Sequence, residues 1–252
     1  MKVLVVDNNE GFLASAQRSL GEDKVSAAKA DVSSLRDWAH LKKRVDSDFQ
    51  GRIDFLFLNA GIQPSSTWDD PSTFQTIFNV NLFGVINGIS TFKSAVSSSS
   101  SLSPPSSSTA IVITGSKPGI TNPPGNPAYN ASKSAVKTIA EHLSYDLRDS
   151  SPNTSVFLLV PGWTFTSLGR REEKHTSAEK PAVAWTPEQV AYYLEAKIAK
   201  DEFYVICPDN EVTEEMDSKR MLWAAEDVVQ RRPALSRWRK EYKEEFEAWV
   251  RS

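Results

Sequence analysis

The chain of 252 residues has one cysteine, three histidines and 11 glycines, and no long apolar run. Cys207 alone excludes an internal disulfide and cannot build a thiolate metal site. Within "FYVIC" it reads as a small buried strand residue. His40 and His142 fall on helical segments and His175 in a loop, with no cysteine or carboxylate cluster at ligand spacing, so no metal is assigned. The opening apolar run ends at Val6, far too short for a signal-peptide core or a membrane span. No other segment approaches spanning length, and the expectation is a soluble, cytoplasmic protein. Charge of neither sign dominates: 29 basic and 32 acidic side chains leave a net charge of −3, which provides no field for nucleic acid or an anionic membrane. Glycine is scarce where it matters most. The first is Gly11, and no glycine-rich phosphate loop occurs anywhere in the chain.

What remains is ordinary globular material, 40% hydrophobic and 24% charged. "MKVLVVD" reads as a buried strand, and "EGFLASAQRSL" as a helix with Phe12, Leu13, Ala16 and Leu20 on one face, stopped by Gly21. A strand "KVSAAKADV", a serine-capped helix carrying Leu35, Trp38, Leu41 and Val45, and a continuously apolar strand "IDFLFLNAG" follow. Strands and helices alternating at this density imply an α/β fold, a doubly wound parallel sheet with helices on both faces. "DPSTFQTIFNVNLFGVINGISTFKSAV" reads as one long helix capped by Asp70. It leads into a serine–proline tract at 97–108, taken as a mobile surface insert. "TAIVITGS", "TSVFLLVPG" and "EFYVICP" supply further strands, and the domain spans 1–207. Residues 208–252 form a helical extension expected to pack on it through Tyr242, Phe246, Trp249 and Val250.

The chemistry concentrates in "TGSKPGITNPPGNPAYNASK". Tyr129 and Lys133 are an i,i+4 pair on one face of a helix, where an ammonium beside a phenol favours the phenolate. That makes the tyrosine a general acid–base for a carbonyl or an alcohol. Ser116 precedes Tyr129 by 13 positions, at a strand end, where open α/β sheets place their ligands. A lone Tyr-x-x-x-Lys is also a common surface pair, so the case rests on what accompanies it.

Several motifs in order do accompany it. From residue 1 to about 207 the chain resembles the short-chain dehydrogenase/reductase family of the classical type. "NAG" at Asn59, Ala60 and Gly61 is similar to the motif shaping that family's cofactor crevice. Asn81 in "NVNLFG" matches the helix asparagine of its proton relay. Ser116, Tyr129 and Lys133 match its catalytic serine, tyrosine and lysine. "PGWTFT" resembles the loop in which Pro161, Gly162 and Thr166 border the nicotinamide. The resemblance implies hydride transfer between a nicotinamide cofactor and a small carbonyl or alcohol substrate. Tyr129 would exchange the proton, Lys133 would lower its pKa and bind the ribose, Ser116 would orient the carbonyl, and Asn81 would hold a water. It also implies a homodimer or homotetramer paired through the helices bearing Asn81 and Tyr129. Trp163, Phe165 and Trp185 could line a substrate pocket or fill core, and His175 could contact substrate or be solvated.

The family's first strand and helix carry the glycine-rich pyrophosphate loop, and here that βα unit is missing. "VDNNEG" is no substitute, because Asp7 and Glu10 would face a phosphate with carboxylates. Asp31 in "ADV" matches the adenine contact after the family's third strand, which makes "MKVLVVD" the second strand and Asp7 the ribose ligand. An acid there favours NAD, with NADP as the alternative. The absent strand would be the central one of the sheet. Three functions follow: an oxidoreductase, a non-catalytic partner or degraded copy unable to bind dinucleotide, and a cofactor-free isomerase or dehydratase.

Overall fold

The computed structural model describes residues 1–21, 23–102, 108–166, 168 and 179–251, with side chains described outside 98–102. The chain begins with β1 (Val3–Asp7), α1 (Glu10–Leu20), β2 (Val25–Lys29), α2 (Leu35–Asp48) and β3 (Phe55–Leu58). Asn9 caps α1 and Ser34 caps α2, each side chain accepting a hydrogen bond from a first-turn amide, while Gly21 at φ 94° ends α1. The single helix expected from Asp70 is instead α3 (Pro71–Phe78), a π-helical turn (Asn79–Phe83) and α4 (Gly84–Leu102). α4 also continues into the serine tract as far as Leu102, because serine ranks only moderately below the good helix formers. Residues 103–107 of the expected insert lie outside the described residues.

β4 (Thr109–Thr114), α5 (Pro118–Thr121), α6 (Pro127–Ser150), β5 (Thr154–Val160), α7 (Pro187–Ile198) and β6 (Tyr204–Ile206) complete the alternation. α8 (Glu214–Val229), two short 3₁₀ turns and α9 (Lys243–Arg251) form the extension. Trp223 of α8 anchors it. Its ring meets Phe246 at 5.3 Å and Trp249 at 6.2 Å, and its indole N–H donates to Ser236. The apolar stripe of α9 therefore packs back on its own chain.

Among the described residues all strand pairs are parallel, but the sheet is broken: β1 pairs only with β2, and β3–β4–β5–β6 form a second sheet. One hydrophobic cluster nevertheless spans both. Leu4, Val6 and Ala28 pack against a core containing Trp38 and Leu41 of α2, Leu58 of β3, Phe92 of α4 and Val136 of α6. On the opposite face Phe157, Val205 and Cys207 pack under Val190 and Leu194 of α7. β3 was expected to be covered on both faces. Leu58 is buried on the first, but Phe55 and Phe57 on the second are each 43% exposed.

Among the described residues, the outer edges of β1 and β3 have no strand partner. Val3 donates to Lys24 and Asp7 accepts from Ala30, so β1 turns its odd residues to β2 and the backbone groups of Leu4 and Val6 away. Ala110 donates to Asp54, which likewise turns Phe55 and Phe57 away from β4.

Candidate active site

β3, β4 and β5 end at the same edge of their sheet, and the candidate residues follow directly from those ends. Asn59, Ala60 and Gly61 follow β3, Ser116 follows β4, and Pro161 and Gly162 follow β5. Tyr129 and Lys133 reach this edge because α6 starts beside it. Asn126 caps that helix, its Oδ1 accepting from the Tyr129 amide at 3.4 Å and from Ser66 Oγ at 2.6 Å. Its Nδ2 donates to the Pro64 carbonyl at 2.9 Å, which ties the cap to the segment after β3. Gly119 lets α5 lie against α6: a Cβ there would stand 2.6 Å from the Lys133 carbonyl carbon.

Tyr129 is 3% exposed, and the Ser116 side chain lies close enough to its phenol to favour the phenolate. Burial pushes the phenol above its ordinary range, and the Ser116 contact partly opposes that. Lys133 is buried and donates from Nζ to the Thr114 carbonyl at 2.8 Å. Its Nζ stands 6.0 Å from the Tyr129 ring centroid. Burial pulls the ammonium down to about 8. The sequence-based expectation of a phenol held low by its lysine is therefore not the arrangement here, where the lysine itself carries the downward shift.

Asn81 lies in the π turn, fully buried. Its Oδ1 accepts from the Ile62 amide at 2.8 Å. Its Nδ2 donates to the Ile62 carbonyl at 3.0 Å and to Ser132 Oγ at 3.1 Å. Ser132 Oγ in turn donates to the Tyr129 carbonyl at 2.8 Å, so one chain of hydrogen bonds joins the π turn to α6. A π turn spends an extra residue to re-aim a side chain, and such turns recur at functional sites. Four groups from three elements thus meet behind the end of β4.

Of the remaining candidates, Asn59, Ala60 and Gly61 follow β3, whereas Asp7 and Asp31 lie at the ends of strands in the other sheet. The Thr114 hydroxyl donates to Asn59 Oδ1 at 2.9 Å, while Ala60 is exposed. At Gly61 a Cβ would come within 3.4 Å of Asn81 Oδ1 and 3.6 Å of Lys133 Nζ, so glycine leaves the ammonium approachable. Asp7 ends β1 and accepts from the Asn9 amide at 2.8 Å. Asp31, just beyond β2, accepts from the amide and hydroxyl of Ser33. Thr166 is exposed, its hydroxyl accepting from the Leu168 amide.

Trp185 stacks on Tyr193 at 5.7 Å and borders the α7 core, which is core filling. Trp163, by contrast, is 53% exposed, and Phe165 is half-buried. His175 lies outside the described residues. His40 and His142 are exposed, and no group of three metal-ligating side chains occurs among the described residues. No described helix is long and apolar enough to cross a membrane.

Sequence reasoning missed Ser66, Asn126 and Ser132, which hold α6, and Lys117 with Asp209 and Asp217, which meet beside Ser116. "GNPAY" does carry a capping signal, an asparagine followed by proline. Nothing local links Lys117 to aspartates about 90 positions later.

Against known proteins, a sequence model described as short chain dehydrogenase matches residues 1–177. A "CLA biosynthesis dehydrogenase/reductase" of Lactiplantibacillus plantarum is 27% identical over 212 residues, covering 82% of this chain and 70% of the relative. An uncharacterized oxidoreductase of Listeria innocua is 29% identical over 168 residues, 65% of this chain and 62% of that relative. Among solved structures, a short chain dehydrogenase/reductase from Burkholderia phymatum in complex with NAD superposes with a TM-score of 0.78. It is 24% identical, with 92% of this chain and 87% of that one covered.

Proposed function

The chain belongs to the short chain dehydrogenase family, and from that premise we propose that it catalyses hydride transfer between a nicotinamide dinucleotide and a carbonyl or alcohol, with Tyr129 as the general acid–base. The observation that carries this reading is the buried Tyr129 phenol close to Ser116, with the buried Lys133 and Asn81 both bordering Gly61 at the neighbouring strand end. In the reducing direction Tyr129 gives its phenolic proton to the substrate oxygen, and in the oxidising direction it takes that proton back. The Ser116 hydroxyl donates to the same oxygen and orients it. Lys133, with a pKa drawn to about 8, returns a proton near neutral pH and retains donors for ribose hydroxyls. Asn81 lines the path from that lysine toward solvent. A bound nicotinamide would supply or accept the hydride, while the protein contributes placement and charge.

The ribose and nicotinamide end fits the residues present, because Gly61 leaves space beside Lys133 Nζ. The pyrophosphate end does not fit. Asn9 occupies the α1 amides, and Asp7 and Glu10 put carboxylates beside them. We assign that half of the site to the break between β1 and β3, where a further parallel strand with a glycine-rich turn and a helix would join the two edges. Its helix would cover Phe55 and Phe57. The acid at Asp7 favours NAD over NADP, since a 2′-phosphate would be repelled. Exposed Phe83 beside Asn81 and exposed Tyr145 on α6 support pairing of copies through these elements as a homodimer or homotetramer.

The test is fluorescence titration with NADH and NADPH, followed by turnover of a carbonyl panel. Tyr129→Phe is expected to bind dinucleotide as the parent does and to lose about 10²–10⁴-fold in turnover. A folded protein that binds neither dinucleotide overturns the reading. That result would favour a second one, a non-catalytic relative, which the open break in the sheet supports.

A further inference from the structure

The turn that carries Ser116 is tied to the far end of the chain. Lys117 follows Ser116 directly, and its carbonyl accepts from the amides of Ile120 and Thr121, each at 2.9 Å, so it begins the α5 turn. Where the Lys117 side chain is anchored therefore sets where Ser116 sits. Its Nζ lies 2.5 Å from Asp217 Oδ2 on α8 and 3.8 Å from Asp209 Oδ2 in the segment after β6. The Asp217 side chain is only 2% exposed, and that of Lys117 is 13% exposed.

Asp209 extends the link to the loop after β5. Its Oδ2 accepts from the Trp163 amide at 3.3 Å, and its Oδ1 accepts from the amides of Glu211 and Val212 at 3.0 and 2.8 Å. Gly162 admits the cluster: a Cβ there would lie 3.0 Å from Lys117 Nζ and 2.9 Å from the Pro208 carbonyl oxygen. Arg220 stands 3.9 Å from Asp217 Oδ1, and the Arg237 guanidinium also acts on Asp217, so three cations face the two nearly buried carboxylates. Both carboxylates lie beyond the family match at 1–177, in the extension.

We infer that Asp217, together with Asp209, is a positioning residue of the active site: through Lys117 it clamps the Ser116 turn and the Pro161–Trp163 loop to the C-terminal helix α8. The inference rests on the proposed role of Ser116, but the clamp itself is a matter of geometry. A buried ion pair adds little net stability, yet removing one partner strands the other charge. Lys117 would then have to move toward solvent or toward Asp209 alone, and Ser116 would move with it. The extension is in this way part of the catalytic architecture.

The experiment is amide hydrogen exchange of the full chain and of Asp217→Asn and Asp217→Glu, with steady-state turnover alongside. Asp217→Asn is expected to speed exchange in 115–121 and in 161–165 by about tenfold, leaving α2 and the C-terminal half of α6 unchanged. Its kcat falls by about tenfold while KM for the dinucleotide holds, as expected when an interaction made in the transition state is loosened. Asp217→Glu, which keeps the charge, restores both. Exchange altered only within α8, or not at all, overturns the inference. If Asp217→Asn does not fold, Asp209→Asn is read at 161–165 by the same criterion. If the parent turns over no carbonyl, hydride transfer fails as a function, and the exchange result still decides the clamp.

Discussion

Lys133 is the residue whose environment departs furthest from its sequence context. Four positions from Tyr129 on a helix, it reads as the phenol's partner, and the fold instead aims its buried ammonium at the Thr114 carbonyl. Burial penalises the charged form and brings the group from 10.5 to about 8. The folded pKa is thus below the unfolded one, so the unfolded chain binds more protons between those limits. Stability contributed by this group is lowest below about pH 8 and rises as pH climbs toward 10.5. Lys133→Met removes that rise. Its unfolding free energy in urea, relative to the parent, is expected to fall by about 2–3 kcal/mol between pH 7 and pH 10. A relative stability that stays constant over that range would show that the lysine does not titrate as described. Tyr129, Ser116, Lys133 and Asn81 were all legible as types at a spacing. The direction in which each side chain bonds was not, because burial decides it.

At the scale of elements, local sequence and local structure agree best at helix starts. Asn9, Ser34, Asp70 and Thr186 each cap the helix their position suggests. Asn126 does the same for α6 and also joins that helix to Ser66 and Pro64. Asn126→Ala removes the cap from the helix that carries Tyr129, and the expected loss is about 1–2 kcal/mol. In a domain of this size that lowers the melting temperature by about 2–8 °C, measured by calorimetry. An unchanged melting temperature would show that water replaces the cap at no loss. The π turn at Asn79–Phe83 was not legible, since "NVNLFG" satisfies the helical period around it. The turn exists because Asn81 bonds Ile62 and Ser132, residues distant in sequence.

For the whole molecule, the break between β1 and β3 governs stability. The β1–β2 pair has its own ladder but reaches the larger sheet only through the shared helical layer under Leu4, Val6 and Ala28. β4 and β5, by contrast, have strands on both sides. Amide exchange is therefore expected to be faster in 3–7 and 25–29 than in 109–114 and 154–160, by a factor of about 10² or more, as subglobal opening precedes global unfolding. Equal protection would mean that the two sheets unfold as one unit. The exposed rings of Phe55 and Phe57 belong to the same break. "FLFL" promised a strand covered on both faces, and one of its covers is not among the described elements.

The sequence by itself determined the element order, most of the helix caps, the family and the candidate residues Asn81, Ser116, Tyr129 and Lys133. Each of these is written in periodicity, in short motifs or in residue types at fixed spacing. Tertiary structure alone decided which groups are buried, that the lysine rather than the tyrosine carries the downward pKa shift, and that the sheet stays open between β1 and β3. It also joined Lys117 to Asp209 and Asp217. Those outcomes depend on which distant segments share a low-dielectric space, and desolvation and ion pairing act across that space whatever the separation along the chain.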